Sequence, residues 1–177
     1  MLETLYGLIR DVPDFPKPGI LFRDITPLLL DPRALGDAVE RIIAPFRDAG
    51  VTKVVAVESR GFVFGAPAAL ALQAGLVLVR KPGKLPSARV RVDYQLEYGT
   101  DALEVHLDAL GATDIALVVD DVLATGGTAA ATVDLVERAG ATVVGLGFLV
   151  ELADLGGRKR LGEQRRLHAV LTYPRLP

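Results

Sequence analysis

Along this chain short apolar runs alternate with stretches whose apolar residues recur every three or four positions. Leu2 to Val12 has the second spacing and predicts a short amphipathic helix. Asp31-Pro32 predicts the start of another, with Asp at the N-cap and Pro in the first turn, running to Gly50 with Pro45 interrupting or kinking it. Lys53 to Val57 reads as a strand, Phe62 to Ala74 as an alanine-rich helix and Leu76 to Val79 as a strand. Asp114 to Asp120 reads as a buried strand, Thr128 to Arg138 as a helix, and Thr142 to Val150 as a strand. A polar helix around Gly157 to Gln164 and a last strand at His168 to Tyr173 follow. Such alternation predicts an α/β fold, a central mostly parallel sheet flanked by helices with right-handed crossovers. In these sheets ligands sit at the C-terminal ends of the strands, where Glu58-Ser59-Arg60, Arg80-Lys81 and Asp120-Asp121 all fall.

Between Lys81 and Thr113 the alternation of strand and helix stops. Pro82 and Pro86 forbid helix, and Arg89-Val90-Arg91-Val92-Asp93-Tyr94 alternates like a strand facing Asp101 to His106 across Glu97-Tyr98-Gly99-Thr100. Lys81, Lys84, Arg89 and Arg91 crowd one side. A long insertion without a buried face suits a mobile lid, and a basic lid would close over a polyanion and exclude water. A solvated hairpin that serves only stability or dimer contact would carry the same charges.

Composition narrows the classes. With 177 residues, half of them hydrophobic, the chain can build one sizeable core and is too short for two ordinary domains, so residues 1–177 read as a single domain. The absence of cysteine excludes disulfides and thiolate metal sites, and two distant histidines disfavour a histidine-based one. No basic-then-apolar leader and no membrane-length apolar run is present, which gives a cytoplasmic expectation with no membrane partner. A net charge of −2 argues against nucleic acid as a partner.

The most telling chemistry lies in Ile115 to Thr128, an apolar run that closes on Asp120-Asp121 and then Thr125-Gly126-Gly127-Thr128. A P-loop would need a Lys after its glycines and a dinucleotide fingerprint would need three glycines in fixed spacing, and neither is here. Adjacent carboxylates at a strand end can accept hydrogen bonds from vicinal hydroxyls, while threonine hydroxyls and the free N–H groups of a helix N-terminus take a phosphate. A ribose 5-phosphate satisfies both. An Asp pair alone would serve as well to cap the loop; the complete run favours the phosphate reading.

This run resembles the phosphoribosyl-diphosphate signature of the type I phosphoribosyltransferase family. Three further segments are similar to its adenine-converting branch: Phe15 to Leu29, Glu58-Ser59-Arg60-Gly61-Phe62, and Arg80 to Pro86 with Leu96-Glu97-Tyr98-Gly99 behind it. The resemblance implies that fold, with a small N-terminal hood (1–35) for the base and a flexible hairpin lid (81–106). It implies conversion of adenine and phosphoribosyl diphosphate to AMP and diphosphate, in purine salvage, by a homodimer. Asp120, Asp121, Ala124, Thr125, Gly126, Gly127 and Thr128 would hold the ribose 5-phosphate. Glu58, Ser59, Arg60, Gly61, Lys81 and Lys84 would hold the diphosphate, with a cis peptide expected at Glu58–Ser59. Main-chain groups near Leu21 and Arg23 would read the adenine edge while Phe22 stacks on its ring. Arg60 and Glu97 would be the catalytic residues, Glu97 holding or returning the N7 proton, with Tyr98 beside it on the lid. Mg²⁺ would be held mainly by substrate, with Asp120 and Asp121 reaching it through water. A phosphoribosyltransferase for another base, or a non-catalytic phosphoribosyl-diphosphate-binding regulator, would share the signature; a regulator would add a DNA-binding module for which this chain leaves no room.

Overall fold

In the computed structural model, which describes residues 2–95, 100–162 and 164–174, the short apolar runs become a five-stranded parallel sheet. Its strands are β3 (Lys53–Val57), β4 (Gly75–Val79), β7 (Ile115–Leu123), β8 (Thr142–Leu152) and β9 (Leu167–Tyr173), in the order β4-β3-β7-β8-β9. The remaining strands form two antiparallel pairs, β1 (Arg10–Pro13) with β2 (Leu21–Asp24), and β5 (Arg89–Gln95) with β6 (Thr100–His106). The helices are α1 (Leu2–Gly7), α2 (Thr26–Leu30), α3 (Pro32–Ile43), α4 (Gly61–Leu72), α5 (Gly127–Arg138) and α6 (Gly157–Leu161).

Strand alternation divides the apolar residues between two cores. Val54, Leu117 and Val119 face Ile42, Phe46 and Phe64 on one side, while Val55, Ala116 and Val118 face Val133, Leu135 and Val136 on the other. Burial on both faces explains why these strands read as continuous apolar runs rather than as alternating ones. At roughly 1.5–3 kcal/mol for each large side chain removed from water, these two layers are the main support of the site above them.

Several boundaries differ from the sequence reading. The first helix stops at Gly7, and Arg10–Pro13 is a strand held by long-range pairing with β2, which helical spacing alone does not reveal. Asp31 caps α3 as expected, accepting from the N–H groups of Arg33 (2.9 Å) and Ala34 (3.1 Å), but α3 ends at Ile43 and Pro45 sits in a 3-10 turn, Ala44–Phe46. The central strand β7 continues past Asp120 to Leu123 because β8 keeps pairing with it there, Val122 with Val150 and Leu123 with Glu151. Beyond β8 a 3-10 turn, Ala153–Leu155, precedes a helix α6 that ends at Leu161, short of Gln164.

The hairpin also departs from expectation, for it does have a buried face. Val92, Leu103 and Val105 are almost fully removed from solvent in the core that α5 shares. Its cations do not form one open basic surface either. Arg89 pairs with Glu104 (3.1 Å), Arg91 with Asp93 (2.6 Å) and Lys81 with Asp101 (3.1 Å).

Candidate functional site

A cavity of about 580 Å³ opens at the C-terminal ends of β3, β7 and β8. Its lining comes from Ile20–Arg23, Glu58–Arg60, Asp120–Ala129, Leu152 and Leu155. Three segments nearly forty to sixty residues apart in sequence thus meet because the strands before two of them are neighbours in one sheet.

The floor is the β7–α5 junction. Gly126 adopts φ +77° and passes the chain into α5, whose N-cap has no side-chain hydrogen bond, so its first N–H groups are open to an anion. A Cβ on Gly126 would stand 2.8 Å from the Gly157 carbonyl oxygen, and a Cβ on Gly157 would stand 2.3 Å from the Ala124 carbonyl oxygen. The two glycines therefore let the α6 turn press against the loop. Thr128 Oγ1 lies 3.4 Å from the Tyr94 hydroxyl of the hairpin.

Asp120 and Asp121 lie within the end of β7, not beyond it. Burial first, and the neighbouring Asp121 carboxylate second, hold the Asp120 carboxyl well above the usual carboxylate range. Its Oδ1 accepts from the Asp121 N–H (2.9 Å). Asp121 is 5 % exposed. Its Oδ2 stands 2.5 Å from Arg60 Nε, an ion pair without hydrogen-bond geometry, and among the described residues that oxygen accepts no hydrogen bond. A buried acceptor left in this condition is an invitation to a donor from a ligand.

Arg60 stands at the N-terminus of α4, and Gly61 behind it brings the helix onto β7: a Cβ there would lie 2.7 Å from Asp120 Oδ1. The Arg60 guanidinium also lies 5.2 Å from the Phe22 ring centroid. The Glu58–Ser59 peptide is cis. Glu58 turns its carboxylate to the end of β4, accepting from the Lys81 N–H (3.0 Å) and Arg80 Nε (3.1 Å). Burial pushes that carboxyl up, and these donors together outweigh it and leave it below its ordinary value. Arg80 also donates to the Lys84 carbonyl (3.2 Å). Lys81 and Lys84 do not line the cavity.

The roof is β2. The Phe15 N–H donates to the Ile20 carbonyl (3.2 Å), so by strand alternation Leu21 and Arg23 turn their main-chain groups to the edge away from β1. Phe22 packs edge-on to Phe15, with centroids 5.2 Å apart. The Arg23 side chain leaves the cavity and pairs with Asp11, so its part in the lining is main chain.

With this geometry in place, the likeness to known proteins is direct. Residues 29–166 match the phosphoribosyl transferase domain family. An adenine phosphoribosyltransferase of Anaeromyxobacter sp. (strain Fw109-5) is 55% identical over 172 residues, 97% of each chain. The chain belongs to the adenine phosphoribosyltransferase family. The crystal structure of the Rhodothermus marinus family member superposes with a TM-score of 0.93 at 55% identity, covering 97% of this chain and 98% of that one. The Giardia lamblia enzyme complexed with 9-deazaadenine does so with 0.92 at 38% identity, covering 97% of each. The type I phosphoribosyltransferase fold is therefore this chain's fold.

Within that family fold, Leu152 and Leu155 line the site although the sequence reading passed over them. Leu152 ends β8, so the strand-end rule would have found it had the strand been read to its full length. Glu97 and Tyr98 lie outside the described residues.

Proposed function

We propose that the protein joins adenine N9 to the anomeric carbon of phosphoribosyl diphosphate, forming AMP and releasing diphosphate. The observation that carries this reading is the convergence of the β2 edge, the Glu58-Ser59-Arg60 turn and the Asp120–Thr128 loop on one cavity. A base, a leaving diphosphate and a ribose 5-phosphate need three such surfaces in one place. The likeness to a relative complexed with 9-deazaadenine supports the choice of base.

In this reading Ala124, Thr125, Gly126, Gly127 and Thr128 take the 5-phosphate on main-chain N–H groups and hydroxyls, while Asp120 and Asp121 accept from the ribose hydroxyls. Ser59, Arg60 and Gly61 face the diphosphate; Glu58 braces the turn through Arg80, and Lys81 and Lys84 approach from the hairpin side. Leu21 and Arg23 offer main-chain groups to the adenine edge, and Phe22 offers its ring. The C1–oxygen bond breaks with its electron pair leaving on diphosphate, N9 bonds to the same carbon, and the base loses a proton. Positive charge grows on the ribose as the bond opens; the Asp121 carboxylate stabilises it, and that growing charge in turn favours the ionised form of Asp120. By the family resemblance Glu97 holds the N7 proton and Tyr98 shapes access.

The residues fit Mg²⁺ in one respect: the buried Asp121 Oδ2, paired with Arg60 but accepting no hydrogen bond among the described residues, lies beside Asp120 and can accept from metal-bound water. Among the described residues no group of three or more acidic, histidine or cysteine side chains could hold an ion alone, so the substrate supplies most ligands. When bound, Mg²⁺ neutralises charge on the leaving diphosphate.

The hood (1–35) and lid (81–106) are working units of the same reading, as are adenine salvage in the cytoplasm and a homodimer. No described helix is long and apolar enough to cross a membrane. Dimerisation is supported by the exposed apolar side chains of the edge strand β4, Leu76 and Leu78, with Val63 and Leu70 of α4 nearby in the fold. Incubation with adenine, phosphoribosyl diphosphate and Mg²⁺ should yield AMP and diphosphate one for one; no AMP under these conditions would reject the assignment.

A further inference from the structure

The strand that offers its edge to the base belongs to a two-stranded ribbon outside the main sheet, so something else must set its position over the cavity. Arg23 is the one strongly buried charged residue of that ribbon, 9 % exposed. It faces its cross-strand partner Asp11 in an ion pair, and its guanidinium carbon lies 4.0 Å from the centroid of the Tyr173 ring. Tyr173 ends β9, the outermost strand of the main sheet. Its ring is met edge-on by Tyr6 of α1, with centroids 5.2 Å apart. The Tyr6 hydroxyl is fixed in turn, donating to the Thr172 carbonyl (3.1 Å) and accepting from the Thr172 N–H (3.0 Å). Across the sheet Tyr173 is in register with Leu152, which lines the cavity.

We propose that Tyr173 is a positioning residue for the base: its ring seats Arg23 and so sets where the free edge of β2 stands over the cavity. A planar guanidinium stacked on an aromatic face is held in one plane, and Asp11 fixes its other side. The Arg23 main chain is the group the base would read, so a side chain anchored in this way transmits the position of β9 directly to that edge. The phosphate floor is built on β7 and α5 and has no part in the contact. Tyr173 therefore governs adenine binding and leaves phosphoribosyl diphosphate binding alone. This inference rests on the reading of β2 as the base edge.

Steady-state kinetics of four variants test it. Tyr173→Leu keeps apolar bulk and removes the aromatic face; the KM for adenine should rise on the order of tenfold, the scale of a desolvated cation–π contact, with kcat and the KM for phosphoribosyl diphosphate within about twofold. Tyr173→Phe keeps the ring and drops only the hydroxyl, and should retain the wild-type KM. Asp11→Asn, at a half-exposed carboxylate whose change cannot open the core, should raise the adenine KM about threefold and decides the matter if the Leu variant does not fold. Phe22→Ala tests the underlying reading, since the ring would touch the base itself. An elevated adenine KM in Phe22→Ala with unchanged values in Tyr173→Leu and Asp11→Asn overturns the inference alone. Unchanged values in all three overturn the base-edge reading with it. A parallel rise in both substrates' KM values also overturns the inference, because it would mark a general loosening.

Discussion

The floor and the roof of the cavity are held by different physics. The proposed phosphate loop sits between β7 and α5, where parallel pairing on both sides of β7 and a helix start leave the backbone little choice. The proposed base edge sits on β2, whose single strand partner among the described residues is β1 and whose Arg23 side chain reaches Tyr173 of β9. A site surface built from secondary-structure termini tolerates side-chain change nearby, whereas one placed by a few side chains does not. The floor should therefore lose chemistry when its own groups are altered, and the roof should lose affinity when groups outside the cavity are altered.

The largest effect is expected at Asp121. Asp121→Asn keeps shape but removes the charge that would sit under the ribose, and turnover should fall by about 10²-fold or more with little change in thermal midpoint. Removing one of two crowded carboxylates relieves the charge that pushes Asp120 upward, and this offsets the loss of the ion pair to the half-exposed Arg60. A collapse of the midpoint in a melting curve would make the pair structural and erase the contrast with the roof.

Next comes Thr125→Val, which deletes one hydroxyl from the floor. Losing a hydrogen bond to a charged phosphate should weaken both phosphoribosyl diphosphate and AMP about tenfold, since both carry the 5-phosphate. Calorimetry with AMP alone checks this; unchanged affinity would remove Thr125 from the phosphate site.

The difference between the two regions also explains what the sequence disclosed. Val118, Val119, Asp120 and Gly126-Gly127 follow local rules of strand, terminus and turn, so the floor was legible residue by residue. The roof was legible only through resemblance, because Arg10–Pro13 becomes a strand by pairing with residues a dozen positions away. The Arg60–Asp121 pair, the diversion of Glu58 to Arg80 and the seat of Arg23 on Tyr173 are contacts between distant segments that no spacing encodes. The hairpin misled for a related reason: its alternation was visible, but that Val92, Leu103 and Val105 would find α5 was not.

The smallest effect concerns acid stability of the hood. Asp24 is held below its ordinary 3.8, first by the Thr26 N–H, then by the Thr26 hydroxyl, with Arg10 adding to both. A carboxylate lowered in the folded state stabilises above its unfolded pKa, and that contribution is lost as pH falls through the lowered folded-state value. Asp24→Asn should thus melt below wild type at neutral pH and converge with it in acid below that range. Parallel melting curves at every pH would show that Asp24 does not fasten α2 to β2.

In the proposed function one cavity presents a ribose-phosphate floor and a main-chain edge for adenine. Adenine accepts at N1 and donates from its exocyclic amine, while a 6-oxopurine reverses both, so the wrong base leaves two buried groups unpaired at roughly 1–3 kcal/mol each. The most direct measurement is kcat/KM for adenine and for hypoxanthine with saturating phosphoribosyl diphosphate and Mg²⁺. Those two mismatches should give a ratio of at least about a hundredfold in favour of adenine; equal values for the two bases would rule out a main-chain edge that reads adenine.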